Sequence, residues 1–145
     1  MHRPPGGGRH EWLASGARRG YTGVVPETSA YQLAIELARI AHDNKAEGVV
    51  VLDLRGISSV TDFTVIATGT SDRQIRAVAD RAAEYGTRIG ERPYGVSGYE
   101  NARWILVDFV NVVFHVFTKA YRDYYDLELL WGDAPRLDWA RSESA

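Results

Sequence analysis

Two adjoining stretches, Trp104 to Phe109 and Val112 to Phe117, leave this chain few ways to fold. Each has strand length and is rich in β-branched and aromatic residues. Only Val110 and Asn111 separate them, which reads as a hairpin. With those two as the turn, Trp104 stands opposite Phe117, Leu106 opposite His115, and Asp108 opposite Val113. Side chains alternate across a sheet. One face therefore carries Ile105, Val107, Phe109, Val112, Phe114 and Val116, a continuous core. The other carries Trp104, Leu106, Asp108, Val113, His115 and Phe117. A β-branched residue disfavours the positive φ of a tight turn, so a longer turn, with pairing shifted by one residue, stays open.

The second face has two readings. An aromatic anchor beside an acid and an imidazole is typical of a protein-binding surface. Alternatively, Trp104 and Phe117 pack under a helix while His115 bonds to Asp108 internally. The spacing alone does not choose between them.

The remaining elements follow from periodicity. Ala30, Leu33, Ala34, Leu37, Ala38 and Ala41 recur at helical spacing after Thr28 or Ser29, either of which can cap a helix. Val49 to Leu54 is apolar on both faces, which predicts a central strand. Phe63 to Thr68 reads as a second strand, and a helix is predicted from about Asp72 to Arg88. A Gly/Pro-rich stretch has room for one short strand near Pro93 to Val96, and Lys119 to Trp131 reads as one helix or two short ones. The order predicts an α/β fold, a mixed β-sheet sandwiched by helices. Residues 1–27 read as a disordered N-terminal extension, 28–137 as the domain and 138–145 as a flexible tail.

Charge and residue usage exclude several functions. The net charge is −2, but residues 1–26 carry +3, leaving −5 on residues 27–145. An acidic domain argues against direct, phosphate-driven nucleic-acid binding and fits a basic protein partner; no sequence-specific nucleic acid is expected. The absence of cysteine excludes disulfides, thiolate catalysis and Cys-containing zinc sites. His2, His10, His42 and His115 are scattered, with no spacing suited to a metal. Ser58, Ser59 and Ser71 lie near turns, but none sits in a G-x-S-x-G elbow that would complete a triad with His115 and Asp108. Gly69-Thr70-Ser71, between a strand and a helix, could hold phosphate on backbone N–H groups. Nucleotidyl transfer also needs a pair of carboxylates for metal ions, and the later strands offer Asp108 alone. No catalytic residue, metal or cofactor is expected, and no apolar run is long enough to cross a membrane.

The C-terminal aromatics are more than one buried stripe needs. On a continuous helix Tyr121, Tyr125 and Leu129 share one stripe, and Tyr124, Glu128 and Trp131 the next. Core packing accounts for one stripe and leaves the other for a partner.

Taken in order, these blocks resemble the RsfS (Iojap) family of ribosomal silencing factors. The resemblance rests on Asp53-Leu54-Arg55-Gly56-Ile57-Ser58-Ser59-Val60-Thr61-Asp62, then Ile66-Ala67-Thr68-Gly69-Thr70-Ser71-Asp72-Arg73-Gln74-Ile75. It continues through Trp104 to Asp108, His115-Val116-Phe117, Arg122, and Tyr125 to Trp131. Val110-Asn111 departs from the family's usual Gly-Asp turn. The resemblance implies a nucleotidyltransferase-like topology without catalytic carboxylates. It implies binding to ribosomal protein fourteen of the large ribosomal subunit in the cytoplasm, a steric block to subunit joining, lower translation when nutrients run short, and a homodimer when free. Assembly of the large subunit is the alternative role, and nucleotidyl transfer a more distant one. The contact residues it implies are Trp104, Asp108, His115, Arg122, Tyr125, Glu128 and Trp131, with Asp62 and Arg73 as weaker candidates.

Overall fold

The computed structural model describes residues 27–141. The expected extension and the last four residues lie outside them, apart from Glu27, which already belongs to a helix. In chain order the elements are α1 (Glu27–Asp43), β1 (Glu47–Asp53), β2 (Phe63–Gly69), α2 (Asp72–Arg88), β3 (Gly95–Ser97), β4 (Trp104–Asp108), β5 (Val112–Thr118), α3 (Lys119–Tyr125) and α4 (Leu127–Leu130). Thr28 and Ser29 thus lie inside α1 rather than at its cap. α2 has the predicted bounds because Ser71 caps it: its hydroxyl accepts from the Gln74 N–H at 3.1 Å.

The five strands form one mixed sheet in the order β1-β2-β5-β4-β3, with β2 and β5 parallel and the other pairs antiparallel. The α/β expectation holds. The expectation of a central strand at Val49 to Leu54 does not, because β1 lies at the edge. Its apolar character has another cause. The Asp53 N–H donates to the Pro135 carbonyl, and the Leu137 N–H to the Val51 carbonyl, so a C-terminal strap covers the outer side of β1.

The hairpin keeps the register drawn from the sequence, Trp104 to Phe117 through Asp108 to Val113. The turn is the short one. The Asn111 N–H donates to the Phe109 carbonyl across Val110, whose φ is +74°. That is a three-residue turn in its strained form, and a β-branched residue there is an outlier. The Asp108 carboxylate holds it by accepting the Val110 N–H at 2.7 Å.

Helices α1 and α2 cover one face of the sheet over Val51, Val65, Ala67, Ile105, Val107, Phe114 and Val116. The opposite face is covered by the chain's own C-terminal segment. Leu127 and Ala134, with half-buried Tyr121, Tyr125 and Trp131, lie on Leu52, Leu54, Ile66, Trp104 and Phe117. The expected loose tail past Leu137 is corrected for residues 138–141. Trp139 packs against His42 with the rings tilted and donates to the Val49 carbonyl at 3.1 Å, and Arg39 donates to the Trp139 carbonyl. Arg141 then pairs with Asp43 through two bonds, at 3.0 and 2.9 Å. An indole with a core to cover and a carbonyl to bond stays on the domain.

Candidate functional site

The residues expected at the site fall into a buried layer and a surface carried on it. The buried layer is the second face of the hairpin. Trp104 is 3% exposed and His115 fully enclosed, so neither presents a side chain to a partner; the exposed-surface reading of this face is corrected. Trp104 stacks on Phe117 with ring centroids 4.7 Å apart, and Tyr125 of α3 closes over it at 4.8 Å. Its Nε1–H donates to His115 Nδ1 at 3.0 Å. His115 is thus bonded internally, and the bond seen is to Trp104, where the sequence offered Asp108 as the partner. Because Nδ1 accepts, the proton of neutral His115 sits on Nε2. Enclosure among apolar rings lowers its pKa from 6.5 to about 3, since charge there loses its hydration. Asp108 is buried too, and it serves the Val110 turn.

Arg122 and Glu128 are structural as well. Arg122 donates to Glu128 Oε1 at 3.0 Å, to the Gly48 carbonyl at 2.6 Å and to Thr68 Oγ1 at 2.8 Å. Glu128 Oε2 accepts from Arg136 at 3.2 Å. Asp62 is half-buried in the loop before β2, where its N–H donates to the Asn111 carbonyl. Arg73 is exposed on the first turn of α2, on a different element from the rest.

What reaches the surface is the far side of α3 and α4. The helix breaks at Asp126, which takes a left-handed conformation at φ 45° and caps α4 by accepting the Leu129 N–H. This break disperses the two stripes expected of one continuous helix. Tyr121, Tyr125 and Trp131 turn inward, while Tyr124, Leu129 and Leu130 are 62%, 75% and 66% exposed. Leu130 was not among the sequence candidates; the break that orients it depends on one residue's left-handed φ, which periodicity does not encode. Asp126 and Asp133, near these residues in sequence, are exposed, as is Asp123, which pairs with Lys119 at 3.1 Å. An apolar ridge with an acidic rim is suited to a protein surface carrying basic residues.

The Gly69-Thr70-Ser71 turn is occupied by the chain itself. Gln74 Oε1 accepts both the Thr70 N–H and its hydroxyl, and Ser71 accepts the Gln74 N–H. A Cβ on Gly69 would fall 2.3 Å from Ile75 Cγ1, so strand-to-helix packing by itself accounts for the glycine. Among the described residues no group of three or more His, Asp or Glu side chains could hold a metal, and no helix is long and apolar enough to cross a membrane.

The chain matches the family model described as "Ribosomal silencing factor during starvation" over residues 27–145. It is 46% identical over 96 residues to a protein of Halalkalibacterium halodurans named "Ribosomal silencing factor RsfS", covering 66% of this chain and 82% of that one. A Bacillus subtilis protein of the same name is 44% identical over 101 residues, covering 70% of this chain and 86% of its own length. A crystal structure of a Chromobacterium violaceum protein superposes with a TM-score of 0.67 at 34% identity, covering 81% of this chain and 95% of that one. With the family model spanning the whole described domain, the chain belongs to the RsfS family of ribosomal silencing factors.

Proposed function

We propose that this protein binds ribosomal protein fourteen on the joining face of the large ribosomal subunit and obstructs the small subunit. The carrying observation is the exposed ridge of Tyr124, Leu129 and Leu130 with its acidic rim. Two adjacent leucines at this exposure on a four-residue helix are a cost to a free monomer and an anchor to a bound one. The names of the relatives support a ribosomal role, and a net charge of −5 on residues 27–145 favours a basic partner.

No chemistry is required of the bound protein. A domain of this size spans about 30 Å, enough to prevent close approach of the other subunit. An interface of about 800 Å² per partner would serve. Translation falls when nutrients run short because fewer subunits join. In this reading the protein works in the cytoplasm and is a homodimer when free. The occupied Gly69-Thr70-Ser71 turn favours it over nucleotidyl transfer.

Sucrose-gradient sedimentation tests the proposal. The protein is mixed with isolated large subunits before small subunits are added. It is expected to travel with the large subunit and deplete whole ribosomes, whereas the Leu129→Asp, Leu130→Asp variant stays at the top. A wild-type protein that stays at the top while joining proceeds overturns the function. A double variant that still binds overturns the ridge.

A further inference from the structure

We propose that Arg122 is a positioning residue: a polar latch of Arg122, Glu128, Thr68 and the Gly48 carbonyl sets the orientation of the α4 ridge. This rests on the docking role proposed for that ridge. α4 has four residues, too few to hold a helix by its own hydrogen bonds. It follows a left-handed break at Asp126, and Leu127 is its sole buried residue. One fully buried anchor, with Trp131 half-buried just beyond it, leaves so short a helix only loosely fixed about its axis. Glu128, next in sequence, removes that freedom by pairing with Arg122.

The guanidinium is itself tied down on its other side. Its side chain is only 13% exposed, and Nη1 bonds to both Gly48 and Thr68. Gly48 sits at an irregularity in the β1–β2 pairing, with φ +57°. The positive φ favours glycine there, and a Cβ would stand 2.9 Å from Nη1 and push the guanidinium aside. Arg122 thus joins α3, α4, β1 and β2 through one planar group, a geometry that lysine's single ammonium reproduces only in part. Holding the ridge in its docking orientation before binding spares the ordering cost at the moment of association.

Three variants of the full chain test this: Arg122→Gln, Arg122→Lys and Thr68→Val. Thr68 is buried on β2, so a binding loss on its substitution is not a lost contact. Each is read by sedimentation with large subunits and by amide hydrogen exchange at Leu130, Trp131 and Gly132, whose N–H groups close the α4 turn. If the ridge keeps its docking orientation about a tenth of the time in Arg122→Gln, affinity falls about tenfold. Arg122→Lys recovers part of that loss, and Thr68→Val weakens binding less than Arg122→Gln. Exchange at the three amides accelerates while β2 and β5 stay protected. Unchanged exchange at those amides overturns the latch, and weakened binding in Arg122→Gln alone would then assign Arg122 to direct contact. Accelerated exchange with normal binding in all three overturns the positioning role. The exchange readout stands whether or not the ridge docks, so failure of the docking role is read separately from the Leu129→Asp, Leu130→Asp variant.

Discussion

Lowering the pH from 7.5 to 5 should destabilise this protein through His115 alone by about 2 kcal/mol. In the folded state the ring is enclosed, Nδ1 accepts the Trp104 indole N–H, and the pKa lies at about 3. Protonating Nδ1 would set two donors against each other and strand a charge among rings. In the unfolded chain the imidazole titrates near its ordinary value of about 6.5. Between those values the unfolded state binds one more proton than the native state, so stability rises with pH there by about 1.4 kcal/mol per unit. The contribution is complete above the unfolded value and is lost as pH falls through it. At pH 5, about 1.5 units into the window, the loss is about 2 kcal/mol. Asp43 and Asp53, held below the usual carboxylate value of 3.8 by Arg141 and Arg55, also lose stabilisation on acidification, but mainly at lower pH. Urea unfolding followed by tryptophan fluorescence at half-unit pH steps measures the slope. Comparison with His115→Gln, whose amide oxygen can still accept the indole N–H, isolates the one proton. If wild type and variant lose stability in parallel between pH 6.5 and 5, His115 is not held neutral and the account of the buried layer is wrong.

Trp104→Ala removes a buried indole that contacts Phe117, His115 and Tyr125, and is expected to cost about 3–5 kcal/mol in denaturant unfolding; any ribosome-binding defect in this variant should track its unfolded fraction. Val110→Gly relieves a positive φ at a β-branched residue and, after the entropy gained by the unfolded chain, is expected to stabilise by about 1 kcal/mol. A lower thermal midpoint would show that Val110 contributes more by packing than its backbone costs.

The hairpin was legible because two constraints agree: strand alternation assigns the faces, and the two-residue gap assigns the register. The tight turn is forced by the burial of both strands, which outweighs the strain at Val110. The α2 bounds were legible from Ser71 and the Ile75, Val78, Ala79, Ala82 stripe. The position of β1 was not, because an apolar strand reads the same whether a neighbouring strand or a C-terminal strap covers its edge. The site was half legible. Alternation put Trp104, Leu106, His115 and Phe117 on one face, and the resemblance added Tyr125 and Trp131 as contact residues; whether a partner or the chain's own helix covers that face stayed open. Periodicity finds an apolar face without naming what lies on it, and the Asp126 break redirects every side chain after it. Trp139, placed in a loose tail, offered the one available hint, since a tryptophan beside a domain core usually has somewhere to pack.

The strap across β1 also has a consequence for the order of synthesis. Val49 leaves the ribosome 90 residues before Trp139, the side chain that donates to its carbonyl. Until residues 135–141 emerge, the outer edge of β1 stays open to any other strand, and loop closure over that span slows its sealing. The nascent protein is therefore open to edge pairing until residues 135–141 emerge, and a chain cut before Pro135 would have a β1 edge that never closes.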